Sequence, residues 1–227
     1  MKNLNKISLK IMSFFLFGIA PSAAFAAAKP VLAVSGYEDI LSEAKIKLNC
    51  SKDISLIEHG DSDCYARAYG NEISINRKLL NDAPLGFRRM TIFHETVHIK
   101  HNDYLVNNHL KQCTLFVGAG ISYAILRNIN DPLLRAAISI FVGAGSAVIA
   151  TEQHSKFMET RADTKAANAL GCETCLHEFN DYLEQARIAE NVNEATRTNH
   201  GYLSVSQITE IIKRFKNQRC LYHNEQS

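Results

Sequence analysis

Residues 94 to 98, His94-Glu95-Thr96-Val97-His98, spell H-E-x-x-H. The stretch before them reads as the start of a helix. Asn81-Asp82-Ala83-Pro84 offers Asp82 as an N-cap and Pro84 in the first turn. The helix would then run through Phe87, Met90, Ile92, Phe93, Val97 and His98. Inside a helix, a four-residue spacing puts both imidazoles one turn apart on one face. Two neutral imidazoles so placed can bind one Zn²⁺, and Glu95 projects near the open coordination position. The pattern points to a metal and a general base.

Upstream, Val31 to Asn49 predicts a helix, with Tyr37, Ile40, Leu41, Ala44 and Leu48 on the helical repeat. Tyr65 to Asn76 reads as extended. Gly70-Asn71 makes a turn, and Glu72 to Asn76 alternates polar and apolar. That last strand, just ahead of the metal-binding helix, is a candidate edge for an extended peptide.

Downstream lie two apolar segments, Cys113 to Leu126 and Leu133 to Ala150, joined by the turn Asn128 to Pro132. The first is too short to span a bilayer, and the second is marginal and carries Arg135. The expectation is a buried helical hairpin, with membrane insertion as the other reading and contact with one membrane face also open. Phe-Val-Gly-Ala-Gly occurs in both segments, at 116–120 and 141–145. This echo suggests matched small-residue packing. It is not a nucleotide fingerprint, since no G-x-G-x-x-G is completed.

A further helix is read around Met158-Glu159-Thr160-Arg161-Ala162-Asp163. Glu159 and Asp163 are four apart and share a face. A two-histidine zinc site needs a third protein ligand, which Glu159 can be. Asp163 can accept a hydrogen bond from the far nitrogen of a liganding histidine and so fix its tautomer. His101 is read as a neighbour of the site or a surface residue, not a ligand.

H-E-x-x-H, an apolar hairpin and then E-x-x-A-D together resemble the family 48 zinc metallopeptidases over roughly Glu72 to Phe215. That family includes heat-shock proteases of the HtpX type, CAAX prenyl endopeptidases and periplasmic proteases that police outer-membrane assembly. The stretch His94 to Asp103 is also similar to the family's helix end, which commonly carries a His or Asp. The resemblance implies a mainly α fold with a small β-sheet (α+β), a zincin-like (gluzincin) domain with a zinc-binding helix pair. It implies one Zn²⁺ held by His94, His98 and Glu159, with Asp163 behind them. Glu95 would take a proton from the zinc-bound water and deliver it to the leaving amine. The family usually has a His-Pro pair before its last helix. Here His200-Gly201 stands there, followed by the capping box Ser204 to Gln207 and an apolar face of Ile208, Ile211, Ile212 and Phe215. His200 would either polarise the substrate carbonyl or gate the zinc. The function implied is a metalloendopeptidase acting on exported or envelope proteins. The alternative is a latent or non-catalytic zinc-binding chaperone or assembly factor.

The N-terminus bears on the compartment. Lys2, Lys6 and Lys10 precede the short apolar run Ile11 to Ala20, and Ala24 and Ala26 supply small residues for cleavage. The expectation is a cleaved signal peptide at 1–26, a single domain at 27–227, and a periplasmic or secreted location. The three lysines leave with the signal, so 22 basic residues would face 23 acidic ones. With no basic run bearing interleaved aromatics, nucleic acid is not an expected partner. Protein or peptide substrates are expected, with a membrane surface or outer-membrane assembly partner also in view. The six cysteines, Cys50, Cys64, Cys113, Cys172, Cys175 and Cys220, suggest disulfides in an exported chain. Cys50 with Cys64 could staple the polar stretch between them, and the last three could tie the final helices together.

Overall fold

A computed structural model of the chain describes residues 36–58, 64–189, 201–218 and 220. The expected signal peptide and His200 lie outside these residues. The order is α1 (Glu38–Lys47), β1 (Ser55–Glu58), β2 (Ala66–Tyr69), β3 (Glu72–Ile75), α2 (Arg77–Asn81), α3 (Leu85–His101), α4 (Asp103–Ile125), α5 (Pro132–Leu170), α6 (Glu173–Ala189) and α7 (Val205–Arg214). The chain is mostly helical with one small sheet, as the sequence implied.

The sheet runs in the order β1-β3-β2, with β1 parallel and β2 antiparallel to β3. Strand β3 alternates as read, with Ile73 and Ile75 fully buried. It is the central strand, however, because β1 covers its far side. The edge beside the predicted metal-binding helix is β2, which corrects the expectation that the strand from Glu72 would be that edge. Strand β1 escaped the reading because Ser-Leu-Ile-Glu is four residues inside a polar stretch.

Helix α3 forms the centre of the core. Ile92, Phe93, Val97 and Ile99 are buried against the sheet, α5 and α6. Burial of each large apolar side chain stabilises by about 1.5–3 kcal/mol. Its start differs from the reading. Asp82 ends the short helix α2, and Pro84 itself is the N-cap of α3. Proline has no side-chain acceptor to cap with. Instead Glu178 on α6 accepts the Gly86 N–H at 2.7 Å. At the other end Asn102 adopts the left-handed conformation (φ 56°) that asparagine tolerates. One residue thus ends α3 and opens α4.

The two apolar segments do form a helical hairpin, packed through small residues as the echo suggested. A Cβ on Gly143 would lie 2.6 Å from the Leu115 carbonyl oxygen, and one on Gly118 would lie 3.2 Å from the Gly143 Cα. The hairpin is not buried. Phe116, Ile125, Phe141 and Ile149 are exposed, Phe141 by 80%. The buried reading fails because, among the described residues, no element covers the outer faces of the pair. The second arm and the Glu159 helix are one 39-residue helix, α5. Asp131 caps its start by accepting from the Leu133 and Leu134 N–H groups. Among the described cysteines no disulfide is closed.

Candidate metal centre

Helices α3 and α5 bring His94, His98 and Glu159 together. The two Nε2 atoms are 2.9 Å apart, and Glu159 Oε2 lies 3.1 Å from His94 Nε2 and 3.5 Å from His98 Nε2. Each Nδ1 is engaged behind the ring. His94 Nδ1–H donates to Asp163 Oδ1 at 2.8 Å, and His98 Nδ1–H donates to Asp103 Oδ2 at 2.8 Å. With Nδ1 donating, a neutral ring presents the Nε2 lone pair to the shared space.

The spacing suits a small cation. Ligand atoms about 2.0–2.1 Å from a tetrahedral zinc lie about 3.3 Å from one another. The three separations bracket that value, and the donor set of two imidazoles and a carboxylate is one that zinc takes. His94, His98 and Glu159 form a group able to hold a metal.

The electrostatics agree. Burial alone would lower both histidines. Hydrogen bonds to Asp163 and Glu159 instead carry His94 well above its ordinary value. Hydrogen bonds to Asp103 and Glu159 lift His98 to about 9. Burial works to raise Glu159, but the hydrogen bonds from both rings hold it at about 2. Without metal, protons on the rings balance the carboxylates. A divalent cation would displace those protons.

Glu95 shares the α3 face but stands off the triad. Its Oε2 accepts the Ala68 N–H of edge strand β2 at 2.6 Å. A cleft of about 540 Å³ runs between that edge and the triad, lined by Arg67, Ala68, His94, Glu95, Glu159 and Tyr202 among others. A neighbouring pocket of about 290 Å³ shares His94 and Glu95, with Phe87, Met90, Phe179 and Leu183 behind them.

The model of Peptidase family M48 matches residues 35–199. The chain belongs to that family. No curated protein and no solved structure matches it. Membership of peptidase family M48 makes the chain a peptidase by class. It also gives the His-His-Glu group its reading, because zinc is the usual metal of this family.

Asp163 lies behind His94, where its Oδ1 accepts from the ring. His101 pairs with Lys165 Nζ at 2.9 Å and joins neither the triad nor its carboxylates. His200 lies outside the described residues. Two residues of the site carry no signal in the motifs, Asp103 and Tyr202. Asp103 holds His98 and is itself paired with Arg161. A tight helix-to-helix turn at Asn102 brings it back, and the family's frequent acid at this point was the available signal. Tyr202 stacks over His94, ring centroids 6.2 Å apart. No motif marks it. It is placed by its neighbour, since the Leu203 N–H donates to Asp163 Oδ2 at 3.0 Å.

We expect Asp103→Asn to weaken zinc affinity about 10–100-fold while the fold persists, measured by competition with a chelating dye. A second expectation concerns pH. His98 is raised from 6.5 to about 9 in the metal-free fold, so its protonation stabilises that fold fully below 6.5. That contribution is lost as pH rises through about 9. The Tm of chelator-treated protein should therefore fall between pH 6.5 and 9, whereas a flat profile would contradict the proton inventory of the site.

Proposed function

We propose that this M48 peptidase is a zinc-dependent endopeptidase that cleaves peptide bonds of exported or membrane-associated proteins. The observation that carries the reading is the convergence of His94, His98 and Glu159 around one small space, with Glu95 beside it on an open cleft. His94, His98 and Glu159 would hold the metal, and Asp163 and Asp103 would keep both rings oriented. Bound there, zinc supplies Lewis acidity and lowers the pKa of water. Glu95 takes the proton from the attacking water and passes it to the leaving amine. Its hydrogen bond to Ala68 sets its carboxylate between strand β2 and the triad. An extended substrate would lie along β2, whose outward backbone groups face the cleft. The aromatic-walled side pocket suits a large apolar side chain next to the scissile bond.

The hairpin refines the substrate class. Two packed helices satisfy their own backbone groups, as lipid requires. Their outer faces carry exposed Phe116, Ile121, Phe141 and Ile149. The α5 helix is long and apolar enough to cross a membrane. Contiguous apolar surface on this scale is uncommon on a freely soluble monomer. The proposed setting is therefore a lipid surface on the extracytoplasmic side, reached through the N-terminal signal.

Glu95→Gln should retain one zinc per chain and lose casein cleavage by at least about 10³-fold, scored by metal analysis alongside peptide release. Unchanged cleavage would remove Glu95 from the chemistry. For the hairpin, the metal-loaded protein should float with phosphatidylethanolamine–phosphatidylglycerol vesicles. A triple Phe116→Ser, Phe141→Ser, Ile149→Ser variant should stay in the soluble fraction with zinc still bound. Flotation of both proteins, or of neither, would reject the lipid contact.

A further inference from the structure

On the face of α3 turned away from the metal centre, a second group of reactive side chains is buried. Arg89 is fully buried, five residues before His94. Its Nη2 reaches both carboxylate oxygens of Glu43 on α1, at 2.5 and 2.6 Å. Its Nη1 donates to Cys175 Sγ at 2.9 Å. Three sulfurs meet there. Those of Cys172, Cys175 and Cys220 lie within 4.8 Å of one another, and Cys175 and Cys220 are 3.6 Å apart.

The three come from distinct places. Cys172 follows Gly171, the left-handed residue that ends α5, and its carbonyl accepts from the Leu176 N–H as α6 begins. Its sulfur accepts the Cys175 N–H at 3.5 Å. Cys172-x-x-Cys175 thus opens a helix, where a thiolate is favoured by the backbone N–H groups and the helix dipole. The hydrogen bond from the Cys175 thiol and that N–H pull Cys172 down to about 4 against its burial. That same bond, and then burial, push Cys175 upward. Cys220 arrives on the segment after α7. This segment is held to α6 by Glu173 N–H to the Gln218 carbonyl (2.8 Å) and Asn217 N–H to Glu173 Oε2 (2.6 Å).

We propose that Cys172, Cys175 and Cys220 form a thiol–disulfide exchange site that clamps or releases the C-terminal segment. In the clamped form Cys175 is bonded to Cys220. It arises when the two thiols give two electrons and two protons to a small-molecule disulfide, which leaves as two thiols. Release needs no further oxidant. The Cys172 thiolate attacks the Cys175 sulfur, a Cys172–Cys175 bond forms, and Cys220 departs as a thiolate that takes up a proton. Arg89 positions the central sulfur, the one shared by both disulfides. A Cβ on Gly86 would lie 2.2 Å from the Cys175 carbonyl oxygen, so α3 presses directly on this residue. The exchange therefore takes place against the back of the metal-binding helix.

The full-length protein is equilibrated in glutathione buffers of graded ratio, acid-quenched, alkylated and mapped by peptide mass spectrometry. Two single-disulfide isomers are expected, one alkylated at Cys172 and one at Cys220. Cys172→Ser should give only the Cys175–Cys220 form. Trypsin should cut at Arg214 and Lys216 at least ten-fold faster in reduced protein than in the clamped form. A single isomer at every ratio overturns the proposal, as does a stoichiometric zinc bound by the three sulfurs. Neither readout uses peptidase activity, so a failure here is separate from a failure of the endopeptidase reading.

Discussion

Asp163 ties the site together. It is 3% exposed, and its two oxygens face different parts of the chain. Oδ1 accepts from His94 on α3, and Oδ2 accepts from the backbone of Leu203 beyond α6. A buried carboxylate left without such donors would be costly. With them it fixes the tautomer of His94, the register of α5 against α3, and the position of Tyr202 over the ring. Asp103 repeats the device for His98 from the opposite side, with Arg161 as its counter-charge.

These two carboxylates also explain why the imidazoles tolerate a 2.9 Å approach of their Nε2 atoms. At that distance one Nε2–H donates to the lone pair of the other. Three acids around them, Asp163, Asp103 and Glu159, favour the shared positive charge in the metal-free fold. The same arrangement readies the site for a divalent cation, since the negative charge is fixed by hydrogen bonds before any metal arrives.

Much of this was legible in the sequence. The H-E-x-x-H helix, Glu159, Asp163, the Ser204 capping box and the paired glycines each rest on a helical repeat or a fixed local geometry. What was missed depends on tertiary placement. Asp103 is five residues past His98 and would point elsewhere on a continuous helix. Only the left-handed Asn102 returns it. Pro84 displaced Asp82 as the N-cap because a carboxylate from α6 took over the capping. The hairpin's exposure is not legible, because apolar composition says that a segment avoids water without saying what covers it. Arg89 carries no motif, and its burial follows from partners far away in sequence.

The continuity of α5 gives the hairpin a bearing on the site. Ala150, at the end of the apolar segment, and Glu159 are nine residues apart on one helix, which is about 14 Å of rise. On α4, Asp103 precedes Cys113 by ten residues, about 15 Å. Two helices meeting at the hairpin therefore set nearly the same distance from the apolar surface to the metal centre. A bilayer that took the hairpin would hold the cleft some 15 Å above the hydrocarbon, beyond the depth of the headgroups. An extended chain leaving the membrane would cover that distance in about five residues. Of the chain emerging from the lipid, the first stretch to reach strand β2 would be the juxtamembrane one. With the hairpin in lipid, access to the cleft would depend on the hairpin's depth through the same helix that supplies Glu159.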